Sequence, residues 1–383
     1  MNIKQAWEIV QNALENPVPT WLDYTPKDIP IVLYDDHEFV FINHPNPPVE
    51  RPERLTAATA LEINGLLTAT IPLEICSDEQ SLVPLVYHEC FHVYQGQKFQ
   101  YNGQYNFFEV LAFYPELYPA YRALCSAETD LLTSNVLSNA DKARILSVTA
   151  RRRRKILVEH AGLLDFENDL ERKEGLASFV EQKARLQLFN IPPDNSTCYY
   201  GYSRQYFMGA AICWLFDEIY PSKEWQEKIE RGASLFELLA QKPVLETDVS
   251  FLKLDNREMQ EKQKVTQILS SAEQKIENLF QSGVITIKLP SKAELFRSFS
   301  PKSIISLGDG RLIHPDFLII QMPNGSISIQ GMALENYNDQ TVTFSFKPCE
   351  VKDGEMDICT ENITVSLKKV RKLSDESIEV LEV

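Results

Sequence analysis

The spacing of apolar positions changes period three times along this chain. Ile3, Trp7, Val10 and Leu14 recur at helical spacing, so a short amphipathic helix is expected over residues 3–15. The period then shortens. IPIVLYDDHEFVFINH reads as two strands around Asp35 and Asp36, and LTAATALEINGLLTATIPLEI reads as a hairpin turned by Asn64-Gly65, the strongest short-range hairpin signal. From about Ser77 to residue 250 the pattern is helical. Ser77-x-x-Gln80 has the form of a capping box and Gly96 stands where a C-terminal cap belongs, bracketing one helix of about five turns. Further helices are expected over 107–137, 140–163, 166–190 and 201–220, with Pro115, Pro119, Pro192, Pro193 and Pro221 punctuating or flanking them. Residues 256–281, rich in Glu, Gln and Lys, have the character of a charged connector helix. After Ser282 the pattern returns to strands: VITIKL, DFLIIQM, SISIQGM, TVTFSFK and ITVSLKKV, with turns at Asn324-Gly325 and Asp353-Gly354.

These shifts predict an α+β chain in four parts. Residues 1–76 form a β-rich start, 77–250 a helical lobe, 251–282 a connector and 283–383 a small all-β domain. No internal repeat of fixed period and no low-complexity tract interrupts them. At 383 residues, 44% hydrophobic and 24% charged, the composition is that of a globular protein and excludes whole-chain disorder or a fibrous repeat. The 38 Lys and Arg against 54 Asp and Glu leave a net charge of −16, which repels phosphate backbones, so no nucleic-acid partner is expected. The basic run Arg151 to Arg154 with Lys155 is interleaved with Ile145, Val148, Ile156 and Leu157 and reads as a solvated helix face or a local partner for the acidic surplus. Seven cysteines without a C-x-x-C pair fit a reducing cytosol. The first twenty residues carry charges and amides where a signal peptide has an apolar core. The longest strongly apolar run, Tyr206 to Phe216, falls short of the roughly 20 residues that a membrane span needs. A cytoplasmic protein without a membrane partner is expected.

Chemistry concentrates in LVYHECFHVYQ, residues 85–95, which contains His88-Glu89-x-x-His92. On a helix, positions i and i+4 lie one turn apart on one face, so both imidazoles can reach a single ion at about 2.0–2.1 Å. Glu89 projects beside such an ion and is placed to take a proton from a metal-activated water. The approach Leu82, Val83, Leu85, Val86 is apolar, and two histidines and a carboxylate in a buried helix are costly without a metal. Cys90, inside the motif, points away from the ion and reads as packing. A third ligand is needed. His37, His44, His160 and His314 are not at a metzincin-like spacing after His92, which leaves a carboxylate of ERKEGLASFVEQ, residues 171–182, where Glu171, Glu174 and Glu181 are all candidates. Gly175 in this helical pattern costs about 1 kcal/mol against alanine and asks for a close approach, for example to the metal helix. Tyr199, Tyr202 and Arg204 are further side chains placed to face the site, and a few of the aromatics dense between Tyr94 and Tyr121 are candidates to wall a pocket.

HECFH together with EGLASFVE resembles the gluzincin metallopeptidases, specifically the thermolysin-like aminopeptidases, in which a Glu-Gly-Phe-Ala-x-Tyr-x-Glu segment supplies the third zinc ligand. The resemblance assigns that role to Glu174 and leaves open whether Glu181, two turns on, is a supporting group. Tyr206-Phe207-Met208-Gly209 is similar to the family's Tyr-x-Lys-Gly, whose tyrosine stabilises the oxyanion, and the three elements stand in the family's order. There are departures. His92 and Glu174 lie 82 positions apart, so two or more helices must be inserted between them, and Met208 replaces the lysine. No Gly-x-Met-Glu-Asn segment is present to capture a free amine, and Glu74 is only a positional echo of it. The likeness spans about residues 55–240. It implies a zincin-type body (small twisted sheet, active-site helix beneath its edge strand, helical lobe) and a zinc-dependent metallopeptidase acting on a peptide or protein. Zinc would be held by His88, His92 and Glu174, with Glu89 as general base and Tyr206 at the oxyanion. The competing expectation is a non-catalytic protein in which zinc ties helices together and the C-terminal β domain binds a partner. Structural zinc sites are usually closed by four ligands, commonly thiolates, and that reading gives Glu89 no role.

Overall fold

A computed structural model describes the chain apart from residues 53–54, 102, 194–197, 202, 242–247, 291–294, 301–302, 347–350, 353 and 382–383. It is a mixed α/β molecule in which a helical region is followed by an all-β C-terminal region. Helix α1 (Ile3–Glu15) is capped by Asn2 and buries Ala6, Val10 and Leu14. Strands β1 (Ile31–Tyr34), β2 (Phe39–Ile42), β3 (Thr59–Ile63) and β4 (Leu66–Pro72) form a sheet in the order β2-β1-β4-β3. β1 runs parallel to β4, and β3 pairs antiparallel with β4 at the edge. Asn64 and Gly65 both take positive φ, 48° and 77°, as a two-residue turn matched to strand twist requires.

Helix α2 (Glu79–Lys98) carries the His-Glu motif and packs on β4 and on α1. Its capping box is Asp78 with Ser81, one residue beyond the expected pair, because the carboxylate of Asp78 reaches the Ser81 amide at 2.9 Å. The helix also runs through Gly96 to Lys98. A Cβ there would lie 2.8 Å from Cδ2 of Leu67, so this glycine makes room for the sheet and does not end the helix.

The expected helix 107–137 is two, α3 (Phe107–Ala112) and α4 (Pro119–Thr133), parted by Pro115 and restarted by Pro119 at the first helical position. α5 (Asn139–Leu157) and α6 (Leu163–Leu170) follow, the latter starting from Gly162 at φ 80°. The chain then opens into a π-helical turn, Glu171–Gly175, before α7 (Leu176–Phe189). α8 (Ser203–Ile219), α9 (Glu224–Glu230), α10 (Leu235–Ala240) and the long α11 (Leu254–Gln281) complete the helical region. No helix among the described residues is long and apolar enough to cross a membrane.

The basic run on α5 divides between the two expectations, a solvated face and local acidic partners. Arg151, Arg152 and Lys155 are exposed, but Arg153 and Arg154 turn inward. Arg153 pairs with Glu128 (2.8 Å) and Glu167, Arg154 with Glu171 (3.2 Å), and Arg204 with Glu128 (2.6 Å). Three cations thus meet three carboxylates inside the lobe, so the buried charge is balanced.

After α11 come β5 (Val284–Lys288), β6 (Phe296–Phe299), β7 (Ile305–Ser306), β8 (Arg311–His314), β9 (Phe317–Met322) and β10 (Gly325–Gln330). β11 (Ala333–Asn336), β12 (Thr341–Ser345), β13 (Glu355–Cys359), β14 (Ile363–Lys368), β15 (Val370–Ser374) and β16 (Ser377–Val380) end the chain. They make two sheets, β13-β14-β10-β9-β6 and β15-β16-β5-β12-β11-β8-β7, whose alternate apolar residues share one core that includes Ile287, Ile320, Ile327 and Phe344. The expected turn at Asn324-Gly325 joins β9 to β10, whereas Asp353 lies outside the described residues. This region seats on α3: the Gly310 amide donates to the Ala112 carbonyl at 3.2 Å, and Phe299 packs on Phe108.

Candidate metal centre

α2 buries the face that carries His88, Glu89 and His92 at 7%, 4% and 9% exposure. Opposite stands Glu174 in the π-helical turn. Its Oε2 lies 3.8 Å from His88 Nε2 and 3.3 Å from His92 Nε2. The three donor atoms all lie within 4.8 Å of one another, so residues 82 positions apart in sequence converge on one point. Each imidazole is held from behind. His88 Nδ1 is 2.9 Å from Glu181 Oε2, and His92 Nδ1 is 2.8 Å from Gln95 Oε1. An ionised carboxylate only accepts, so Nδ1 of His88 carries the proton of that bond and its Nε2 faces Glu174.

The electrostatics favour positive charge here. Burial pulls the His88 imidazole down, but its hydrogen bonds to Glu174 and Glu181 outweigh this and push it up to about 10. Burial works against the charged Glu174 as well, yet the hydrogen bonds from His88 and His92 hold it far below the usual carboxylate range. The Glu89 carboxyl is raised by burial, opposed by the nearby charges of His88 and His92. Its Oε2 is buried without a hydrogen-bond partner among the described residues.

The π-helical turn sets the phase of this segment. Glu171 faces the Arg154 guanidinium, which removes it as a ligand candidate, while Glu174 faces α2. Gly175 packs closely, though against α8 and not the metal helix as expected. A Cβ on Gly175 would lie 2.4 Å from the Gly209 Cα, and one on Gly209 would lie 2.5 Å from the Glu171 carbonyl oxygen. The glycines of the two motifs therefore touch, and their contact brings Tyr206, one turn before Gly209, to the same cleft as Glu174. The Tyr206 ring lies nearly parallel to that of His88, at 16°, with centroids 6.5 Å apart.

The cleft has a volume of about 1150 Å³. Thr59 and Ala60 of the edge strand, the aromatic Tyr101, Tyr105 and Phe107, and Ser300 of the β region line it with the residues of α2. Other candidates lie elsewhere. Arg204 is committed to Glu128, the Tyr199 hydroxyl donates to Asp130 at 2.9 Å, and Tyr202 is outside the described residues. Glu74 sits exposed in a 3₁₀ turn (Leu73–Ile75) off the cleft, and Cys90 is wholly buried in the core. Gln95 and Ser300 escaped the sequence reading. Gln95 was signalled only by its i+3 spacing from His92, and nothing local marks Ser300. No protein-family model, curated protein or solved structure matches this chain.

Proposed function

We propose that the chain is a zinc-dependent metallopeptidase of gluzincin kind with a zincin-type body. The observation that carries this reading is the convergence of His88 Nε2, His92 Nε2 and Glu174 Oε2 in an open cleft that Glu89 also lines, its Oε2 buried without a hydrogen-bond partner among the described residues. Two imidazoles and one carboxylate are a zinc donor set, and three protein ligands next to a cleft are the arrangement that leaves a coordination position for chemistry. A closed structural site has less support, because only three such donors meet among the described residues and Glu89 would have no task. A peptide substrate is supported by β3, an edge strand of its sheet whose Thr59 and Ala60 line the cleft, where an extended chain could lie beside it.

His88, His92 and Glu174 would hold the ion, and zinc there supplies Lewis acidity that makes water acidic and polarises a carbonyl. Glu181 and Gln95 keep the two imidazoles in the tautomer that presents Nε2. Glu89 accepts the proton of the attacking water and passes it to the departing amine. The Tyr206 hydroxyl donates to the oxyanion that develops on the scissile carbonyl.

Glu89→Gln tests this most cleanly. Hydrolysis of an unstructured protein such as casein should fall by at least about two orders of magnitude, while zinc content stays at the parent level. Loss of zinc along with activity would make Glu89 a ligand or a structural group and would reject the mechanism.

A further inference from the structure

Gln95 occupies an unusual position between the ligand-bearing segments. It is 2% exposed and one turn beyond His92 on α2. Its amide nitrogen donates to two backbone carbonyls of the π-helical turn, those of Arg172 and Lys173, each at 3.0 Å. Carbonyl oxygens only accept, so the amide cannot be flipped. Its Oε1 must then accept, and the proton of its 2.8 Å bond to His92 belongs on Nδ1. That leaves Nε2, which faces Glu174 at 3.3 Å, as the atom available to an ion. One side chain thus fixes the tautomer of one ligand and grips the two peptide groups immediately before another. A π-helical turn has an irregular carbonyl ladder, as the Lys173 carbonyl taking the Leu176 amide illustrates, so an external donor pair is well used there.

We propose that Gln95 is a positioning residue that couples His92 to Glu174, so that both halves of its amide, and not the His92 bond alone, set the affinity of the metal centre. This rests on the metal reading above and deepens it. A residue that merely orients the imidazole would be replaced well by a carboxylate, the commonest partner of a metal-bound histidine. The coupling role forbids that replacement, because a carboxylate at 95 would face the Arg172 and Lys173 carbonyls with no proton to give.

The experiment measures zinc affinity by competition with a fluorescent chelator for the parent, Gln95→Met and Gln95→Glu, with circular dichroism as a check on folding. Met keeps the length and removes every hydrogen bond, whereas Glu keeps the acceptor and removes the donors. The expected result is weaker zinc binding in both, by about 10–100-fold. Parent-like or tighter binding by Gln95→Glu would reduce Gln95 to a histidine acceptor and overturn the coupling, and unchanged binding in both would remove any role. Should Gln95→Met fail to fold, Gln95→Glu alone decides, and should Gln95→Glu fail, parent-like binding by Gln95→Met would still overturn the proposal. Nitrogen-15 spectra of labelled histidine, recorded without metal, supply a readout that general destabilisation does not move. Nδ1 of His92 should be protonated in the parent, whatever the state of Nε2, and only partly so in Gln95→Met, and no change there would also overturn the proposal. A parent protein that takes up no zinc would instead reject the metal reading, and the same spectra would still judge the Gln95–His92 bond.

Discussion

Gly175→Ala probes the seam on which the candidate site is built. The added Cβ would lie 2.4 Å from the Gly209 Cα and 3.1 Å from the Gln205 carbonyl oxygen, both backbone atoms that cannot swing aside. Carbon atoms rest at about 3.5–4.0 Å, so α7 and α8 must part by on the order of 1 Å. Such overpacking costs about 1–3 kcal/mol, and replacing a helical glycine returns about 1 kcal/mol, so the net loss of stability is small. Function should suffer more. Glu174 sits next to Gly175 and Tyr206 one turn from Gly209, so the seam sets their separation, and a misplacement of about 1 Å costs on the order of 10²-fold in rate. We expect peptide hydrolysis to drop by about that factor while the thermal midpoint of the metal-free protein falls by only a few degrees. Gly209→Ala should behave alike, and the double variant should lose less than the two single losses combined, because both open one seam. Parent-like hydrolysis by Gly175→Ala would refute the reasoning.

Tyr206→Phe should lower kcat by about 10²–10³, with KM and zinc content steady, and an unchanged kcat would leave the oxyanion to other groups. Glu181→Ala should weaken zinc binding by about 10–100-fold, and a larger loss than that of Glu174→Ala would transfer the ligand role to Glu181. Arg153→Met should destabilise the fold by about 3–5 kcal/mol in denaturant titration, because it leaves the buried carboxylates of Glu128 and Glu167 short of a partner. A loss under about 1 kcal/mol would mean that the network relaxes around the missing cation.

How much was legible in sequence depended on whether the deciding contact was local. Asn64-Gly65 fixes its own turn, and the alternation in DFLIIQM, SISIQGM, TVTFSFK and ITVSLKKV is enough to mark β9, β10, β12 and β14. β8 and β11 went unrecognised because their inward positions include His314 and Glu335, a buried polar pair 3.2 Å apart that breaks the apolar pattern. For Arg153 and Arg154 the sequence left a solvated face and local acidic partners both open, since their burial depends on Glu128, Glu167 and Glu171, which no spacing rule joins to them. Gly175 announced a close approach but not its partner, and only the fold reveals Gly209. His88 and His92 follow from helical period alone. Their meeting with Glu174 does not, because several helices intervene, and a resemblance was needed to choose it over Glu171 and Glu181.

The central claim is that one zinc ion is held by His88, His92 and Glu174. A crystal of the parent protein grown with zinc and measured on both sides of the zinc absorption edge tests it directly. The account predicts a single anomalous peak per chain at about 2.0–2.2 Å from the Nε2 atoms of His88 and His92 and a carboxylate oxygen of Glu174, open toward the cleft. A peak elsewhere, or a fourth protein ligand closing the site, would contradict it.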